Sequence, residues 1–230
     1  MSERTGAEPK LGLLTSLPLY WPLSADFAEL ASGSAPAPWQ RAALQQRFDV
    51  VPVDTLAPVP ALDPDAAPSD PLAGIERLAL IQPRGLSAAD NVALDDWVRE
   101  GGALLLALDP ALTGRYGLPL GDPRMPSMAA LIPPVVARWG LRMSFDADQT
   151  DDVTRIETQA GTVPILVSGV LSHTPESAGE CAIAAQGALA HCAIGEGRVT
   201  LIADAAVFEH RELAGAEGEA IAALLREAFP

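Results

Sequence analysis

Asp109 and Asp204 are the residues in this 230-residue sequence best placed to do chemistry. Each closes a nearly unbroken apolar run, ALLLAL before Asp109 and VTLIA before Asp204. Such runs, without polar alternation, mark strands buried on both faces of a parallel sheet. An acid just past the carboxyl end of such a strand stands at the rim where open α/β sheets bind ligands. Two such acids side by side could hold Mg²⁺, which favours carboxylate oxygens together with water. The preferred reading is structural instead. Each carboxylate would accept hydrogen bonds from the first N–H groups of the next helix, and Pro110 suits a first helical position. No metal ligand is assigned.

The same rim should carry Ser16, Tyr20, Trp21, Gln82, Arg84 and His210, each just beyond a predicted strand. With Asp109 and Asp204 they define a candidate ligand-binding crevice. Tyr20 and Trp21 could stack on a sugar or another flat ligand, or form a lid over the core. His210 is the one histidine near the rim worth testing as a base, although a surface loop residue is the preferred reading. Nucleophilic catalysis asks for a Ser or Cys at a sharp strand-to-helix elbow with a base beside it. The chain has no GxSxG, and its two cysteines, Cys181 and Cys192, lie among predicted hairpins. Buried thiols are the preferred reading there, with a cross-strand disulfide as the alternative. The acidic loop FDADQTDD lacks the glycine and terminal Glu of an EF-hand. No GxGxxG follows the first strand, and no phosphate-binding P-loop occurs. No catalytic residue and no cofactor are assigned.

The elements that must position these groups alternate between strand and helix. Strands are expected at 11–15, 49–53, 77–82, 103–108 and 197–204. Between the third and fourth, Ser87 reads as a helix N-cap with Asp90 three residues on. Leu94, Trp97 and Val98 then share a face, and Gly101-Gly102 ends the helix. Further helices are expected near 39–48, over 126–139 with a break at Pro133-Pro134, and over 216–228. Residues 141–196 read as a β-hairpin-rich insert with short strands at VTRIET, VPILVS, CAIAAQ and LAHCAI. If Gln186-Gly187 is a turn, the two cysteines oppose one another on a face shared with Ile183 and Ile194. The expectation is one α/β domain over 1–230, doubly wound and mainly parallel, with a flexible N-terminus at 1–9.

Composition narrows the partners. Hydrophobic residues make up 49% of the chain, enough for a sizeable core, and only 5% are aromatic. A formal net charge of −15 opposes binding to nucleic acid or anionic lipid. No stretch reaches the roughly 18 uncharged apolar residues of a membrane helix. A cytoplasmic location without direct membrane insertion is therefore expected. The expected partner is a small polar ligand, such as a carbohydrate, or another protein. A homo-oligomer joined through a sheet edge is a further reading.

The block LALIQPRGLSAADNVALDDWVREGGALLLALDP carries a resemblance. Apolar strand, proline, Leu-Ser helix start, Trp-Val, Gly-Gly, apolar strand and Asp-Pro follow in the order found in GldG-type proteins, auxiliary components of ABC-type transport systems. RWGLRMSFD at 138–146 and GRVTLIADAAVFEH at 197–210 are similar to later motifs of that group. It also looks like the N-terminal part of an intraflagellar-transport subunit. The resemblance implies a flavodoxin-like sheet of the class I glutamine-amidotransferase kind, without the Cys-His-Glu catalytic set. It implies a non-catalytic ligand-binding or protein-interaction role, linked to transport or the cell envelope. A hydrolase using Asp109 and Asp204, or assisted by His210, is the alternative.

Overall fold

The computed structural model describes residues 8–25, 27–63, 65–119, 121–175 and 181–230. Most of the expected flexible segment 1–9 lies outside these residues, as do 176–179 of the expected HTPESAG turn. In chain order the strands are β1 (Lys10–Thr15), β2 (Asp49–Pro52), β3 (Arg77–Ile81), β4 (Ala103–Ala107), β5 (Leu141–Ser144), β6 (Thr154–Thr158), β7 (Gly161–Ile165), β8 (Val170–His173), β9 (Cys181–Ala184), β10 (Leu189–Ile194) and β11 (Gly197–Ile202). The helices are α1 (Phe27–Ser32), α2 (Trp39–Gln45), α3 (Ala88–Arg99), α4 (Pro134–Arg138), α5 (Ala206–Glu209), α6 (Arg211–Ala214) and α7 (Glu219–Ala228).

The fold is mixed α/β around a mostly parallel sheet. Seven strands lie in the order β2-β1-β3-β4-β11-β10-β9. The first five run parallel, and β10 and β9 extend the edge antiparallel. Strand periodicity divides the core in two. Along β4, Ala103, Leu105 and Ala107 face one cluster with α2, α5 and α7, and Leu104 and Leu106 face another with α3 and α4. Every β4 residue is buried, as its uniform apolar sequence requires. The hairpin-rich region serves three places. β6–β7 packs on α7, β5–β8 forms a separate antiparallel pair, and β9–β10 joins the main sheet.

Three expectations need correction. The helix expected over 126–139 shrinks to α4, because Pro133 and Pro134 lack N–H groups and permit a helix only from the first turn onward. Met128 and Leu131, whose spacing within that span fits a helical period, are exposed. Helix α1 has no counterpart among the expected helices. Trp97 shares the expected face with Leu94 and Val98: half-buried against the same cluster, it lies against Gly102, and its indole N–H donates to the Ile75 carbonyl at 3.0 Å. Cys181 and Cys192, expected as thiols, are joined in a cross-strand disulfide. They are directly paired in the β9–β10 register, which brings the two sulfurs together. The expected shared face holds, since Cys181, Cys192 and Ile194 belong to one core cluster and Ile183 packs against it.

Helix α3 is fixed at both ends by its sequence. Ser87 Oγ accepts from Asp90 N, and Asp90 Oδ2 accepts from Ser87 N, forming a capping box. Gly101, at φ +112°, takes the chain out of the helix. Asp90 does more than cap. Its Oδ1 accepts from Thr55 Oγ1, Leu56 N and Ala57 N, at 2.6, 2.8 and 3.1 Å. Burial raises the Asp90 carboxyl, but these bonds outweigh it and hold the group well below the usual carboxylate range. Asp95, on the same helix, accepts from Trp139 Nε1 at 2.8 Å and ties α3 to α4.

These contacts separate two substitutions in one capping box. Ser87→Ala should cost about 1 kcal/mol, the usual value of an N-cap. Asp90→Ala should cost about 3 kcal/mol, because the Thr55–Ala57 donors also lose their acceptor. Urea unfolding of both variants checks this. Equal losses would show that Asp90 does not anchor the 55–57 segment.

Candidate functional site

The strand order reverses direction between β1 and β3, the position where such sheets open a crevice. Here the chain's own 122–130 segment fills it. Ser16 Oγ donates to the Gln82 carbonyl at 2.6 Å and accepts from Ser127 N at 3.1 Å. The Gln82 side chain donates to the carbonyls of Asp109 and Ser127 and accepts from Asp109 N. Arg84 donates to the carbonyls of Pro123 and Met125. Ser16, Gln82 and Arg84, expected to face a ligand, therefore hold the strap instead. Gln82 stands at the β3-to-α3 turn with φ +43°, a strained position for a residue with a side chain.

Asp109 and Asp204 follow β4 and β11, which pair Ala107 with Ile202, so the two acids stand side by side. Both are fully buried. Asp109 Oδ1 accepts from Ala111 N at 2.8 Å, and its Oδ2 from Ala205 N at 3.0 Å. Asp204 Oδ1 accepts from Ala206 N at 2.7 Å, and its Oδ2 from Leu166 N at 2.8 Å. All four oxygens are thus turned onto backbone amides. The structural reading holds in a changed form, because no helix follows Asp109 and the carboxylate instead bridges two strand ends. Among the described residues, no three His, Cys, Asp or Glu side chains are grouped to hold a metal ion. Burial raises the Asp109 carboxyl to about 6 against its backbone bonds, and nearby Glu209 adds to the rise. Burial, then the charge of Asp109, also pushes Asp204 well above the usual range.

The accessible part of the rim lies on the other side of β1. A cleft of about 380 Å³ opens between the β1–α1 loop, the start of α2, residues 114–116 and the end of α5. Trp39, Tyr116 and three prolines supply its flat apolar surface, and Arg115 and Glu209 its charge. Glu209 is the organising residue. It accepts from Thr113 N at 3.0 Å, from Gly114 N at 2.9 Å and from the Tyr116 hydroxyl. Burial, and the hydrogen bond to Glu209, raise the Tyr116 phenol, so it remains a donor. Gln40 Nε2 donates to the Phe208 carbonyl at 2.9 Å and pins α2 to α5 beneath the cleft.

The remaining expected residues divide. Tyr20 is part of the core's cover: its hydroxyl donates to the Leu13 carbonyl at 2.9 Å, and the Arg41 guanidinium lies over its ring. Trp21 is 52% exposed beside it. His210 Nε2 lies 2.7 Å from Thr113 Oγ1, and its Nδ1 lies 3.6 Å from the exposed Glu212 carboxylate. A hydroxyl therefore stands beside a histidine at this rim, an arrangement that no sequence motif announces. Glu209, Tyr116 and Arg115 also escaped sequence reasoning. Glu209 sits at the end of a short helix, and Tyr116 lies in a loop with no periodicity.

The buried acids have a measurable consequence. Their raised carboxyls mean that the folded chain binds protons more tightly than the unfolded one. The Asp109 contribution is fully present at low pH and is lost as pH rises through about 6, and Asp204, raised in the same direction, adds to the loss with rising pH. Asp90, shifted the opposite way, loses its contribution only as pH falls below the ordinary carboxylate range. Between pH 4.5 and 7 the chain should therefore lose stability, and Asp109→Asn should lose distinctly less. Urea unfolding at the two pH values checks this, and equal slopes in both proteins would contradict it.

A family model described as ABC-type uncharacterized transport system matches residues 8–174, from the start of the sheet to the end of β8. No curated protein matches the chain. Among solved structures, an exo-β-1,4-mannosidase from Opitutaceae bacterium strain TAV5 superposes with a TM-score of 0.54 at 14% identity, over 96% of this chain and 36% of its own. A β-galactosidase from Bacillus circulans sp. alkalophilus gives 0.53 at 11% identity, over 96% and 31%. One from Rahnella sp. R3 gives 0.50 at 13%, over 96% and 31%. The chain spans about a third of the length of these structures, and the likeness is one of fold. No helix among the described residues is long and apolar enough to cross a membrane. With the family match extending over well more than half of its residues, the chain belongs to the ABC-type uncharacterized transport system family.

Proposed function

We propose that this chain is a non-catalytic ligand-binding domain of an ABC-type transport system, and that its ligand is a small polar molecule of the carbohydrate class held in the Trp39–Tyr116–Glu209 cleft. The observation that carries this reading is the cleft itself: flat aromatic and proline surface beside an arginine and an oriented carboxylate. Stacking on Trp39 and Tyr116 with polar contacts from Arg115 suits a sugar ring. The five parallel strands follow the order 2-1-3-4-5, which supports the flavodoxin-like, amidotransferase-like reading. At the strained strand-to-helix elbow, where such folds place a nucleophile, Gln82 offers an amide whose oxygen and nitrogen are both engaged. The disulfide supports an oxidising compartment over the cytoplasm expected from the sequence, since disulfides persist where thiols are not kept reduced.

One observation favours a second reading. Thr113 Oγ1, His210 Nε2 and Glu212 lie in the order hydroxyl, base, acid. The Glu212 contact is long and exposed, and the carboxylate of Glu209 lies 3.5 Å from Thr113 Oγ1, where it would oppose a developing alkoxide. Both features favour a structural brace.

Calorimetric titration with mannose, galactose, glucose and their uronic acids tests the first reading. Saturable binding is expected, weakened at least tenfold, about 1.4 kcal/mol, by Arg115→Ala and by Trp39→Ala. Binding that survives both substitutions, or its absence across the panel, contradicts the proposal. Turnover of a p-nitrophenyl ester that disappears in Thr113→Ala and His210→Ala would instead establish the hydrolase reading.

A further inference from the structure

Helix α3 carries two apolar stripes, one fully buried and one only partly covered by the core. Leu94 and Val98 are fully buried, as an amphipathic surface helix requires. A second stripe, Ala88, Ala89, Val92, Ala93 and Trp97, recurs at helical spacing beside it, with Ala93 and Trp97 half-buried against the core and Ala88, Ala89 and Val92 exposed. Solvent-facing positions on such a helix are normally charged or polar, whereas Val92 is 61% exposed. This stripe forms one wall of a groove of about 620 Å³. The opposite wall comes from Leu56 to Pro58 and from Leu72.

The groove is held open by contacts already described. Asp90 fixes the 55–57 segment against the start of α3. The Trp97 indole, anchored on the Ile75 carbonyl, closes the far end. The small side chains of Ala88, Ala89 and Ala93 leave depth between these supports. The groove is therefore a preformed concavity on rigid elements, rather than a gap between loose side chains.

Its charge selects the occupant. The ionisable residues lining it are Asp70, Asp96 and Glu100, all acidic and all exposed. No Lys, Arg or His lines it. A second copy of the chain would bring a net charge of −15 to an acidic rim, so self-association through this face is opposed. We infer that the α3 groove docks an amphipathic segment of a partner protein, with an apolar face seated on Val92, Ala93 and Trp97 and Lys or Arg residues meeting Asp70, Asp96 and Glu100. This is helix-in-groove recognition with electrostatic selection of the partner. It is independent of the sugar cleft, whose lining residues it does not share.

The test uses the full chain and two synthetic amphipathic helical peptides. Both have the same leucine face; one carries lysines on its polar face and the other glutamates. In a ¹⁵N-HSQC titration the lysine peptide should shift amides of residues 88–100 and 56–72 and leave 113–116 and 208–210 unmoved. Its affinity should exceed that of the glutamate peptide at least tenfold. Val92→Arg, a change at an exposed helix position, should weaken it at least tenfold with an unchanged melting temperature. The double reversal Asp96→Lys with Glu100→Lys should reduce or invert the preference between peptides. Equal binding of both peptides, shifts elsewhere, or no binding at millimolar peptide would overturn the inference. So would concentration-dependent dimers in light scattering that Val92→Arg abolishes, because the occupant would then be a second copy.

Discussion

Asp109 joins two neighbouring strand ends with one buried carboxylate. Through Ala111 it closes the turn after β4, and through Ala205 it holds the start of the segment after β11. Asp204 repeats the device one strand over, capturing Ala206 and the distant Leu166. A parallel sheet ends in polar backbone groups that must find partners when the end is covered. In this chain side chains rather than helix termini supply them. Burying two acids side by side is costly, and their raised carboxyls record that cost. The backbone amides they satisfy make the arrangement tenable.

The same economy explains where ligand access lies. At the β1–β3 reversal, Ser16, Gln82 and Ser127 bind one another, so the usual crevice is closed by the chain itself. Access shifts to the α2 side, where Glu209 orders residues 113–116 and leaves Trp39, Tyr116 and Arg115 around a cleft. The α3 groove lies on a different surface, so one domain could hold a small ligand and a partner segment at the same time.

Much of the framework was legible in the residues. The uniform apolar run of β4 announced a central strand, and Ser87, Asp90 and Gly101 announced both ends of α3 because capping is local chemistry. The pairing of Cys181 with Cys192 followed from strand register, but their covalent state did not, because register sets proximity and not redox state. The 126–139 helix was misread because Met128 and Leu131 fit a helical period that the two prolines then truncate. Ser16, Gln82, Arg84, Asp109 and Asp204 follow the ends of strands, and most of their partners are backbone groups far away in sequence. Gln82 and Ser127, for example, are 45 residues apart. Periodicity cannot report whether a polar side chain faces a ligand or its own chain. Glu209 was missed for the same reason, since all its partners lie more than 90 residues earlier.

Hydrogen exchange at the rim tests this account most directly. If the buried side chains hold the covering segments as firmly as the strands themselves, the amides of Leu166, Asp109, Ser127 and Ala205 should exchange only with global unfolding, in the same slow class as those of β4. Exchange of these four amides orders of magnitude faster than β4 would mean that the rim opens locally, and the central claim would be wrong.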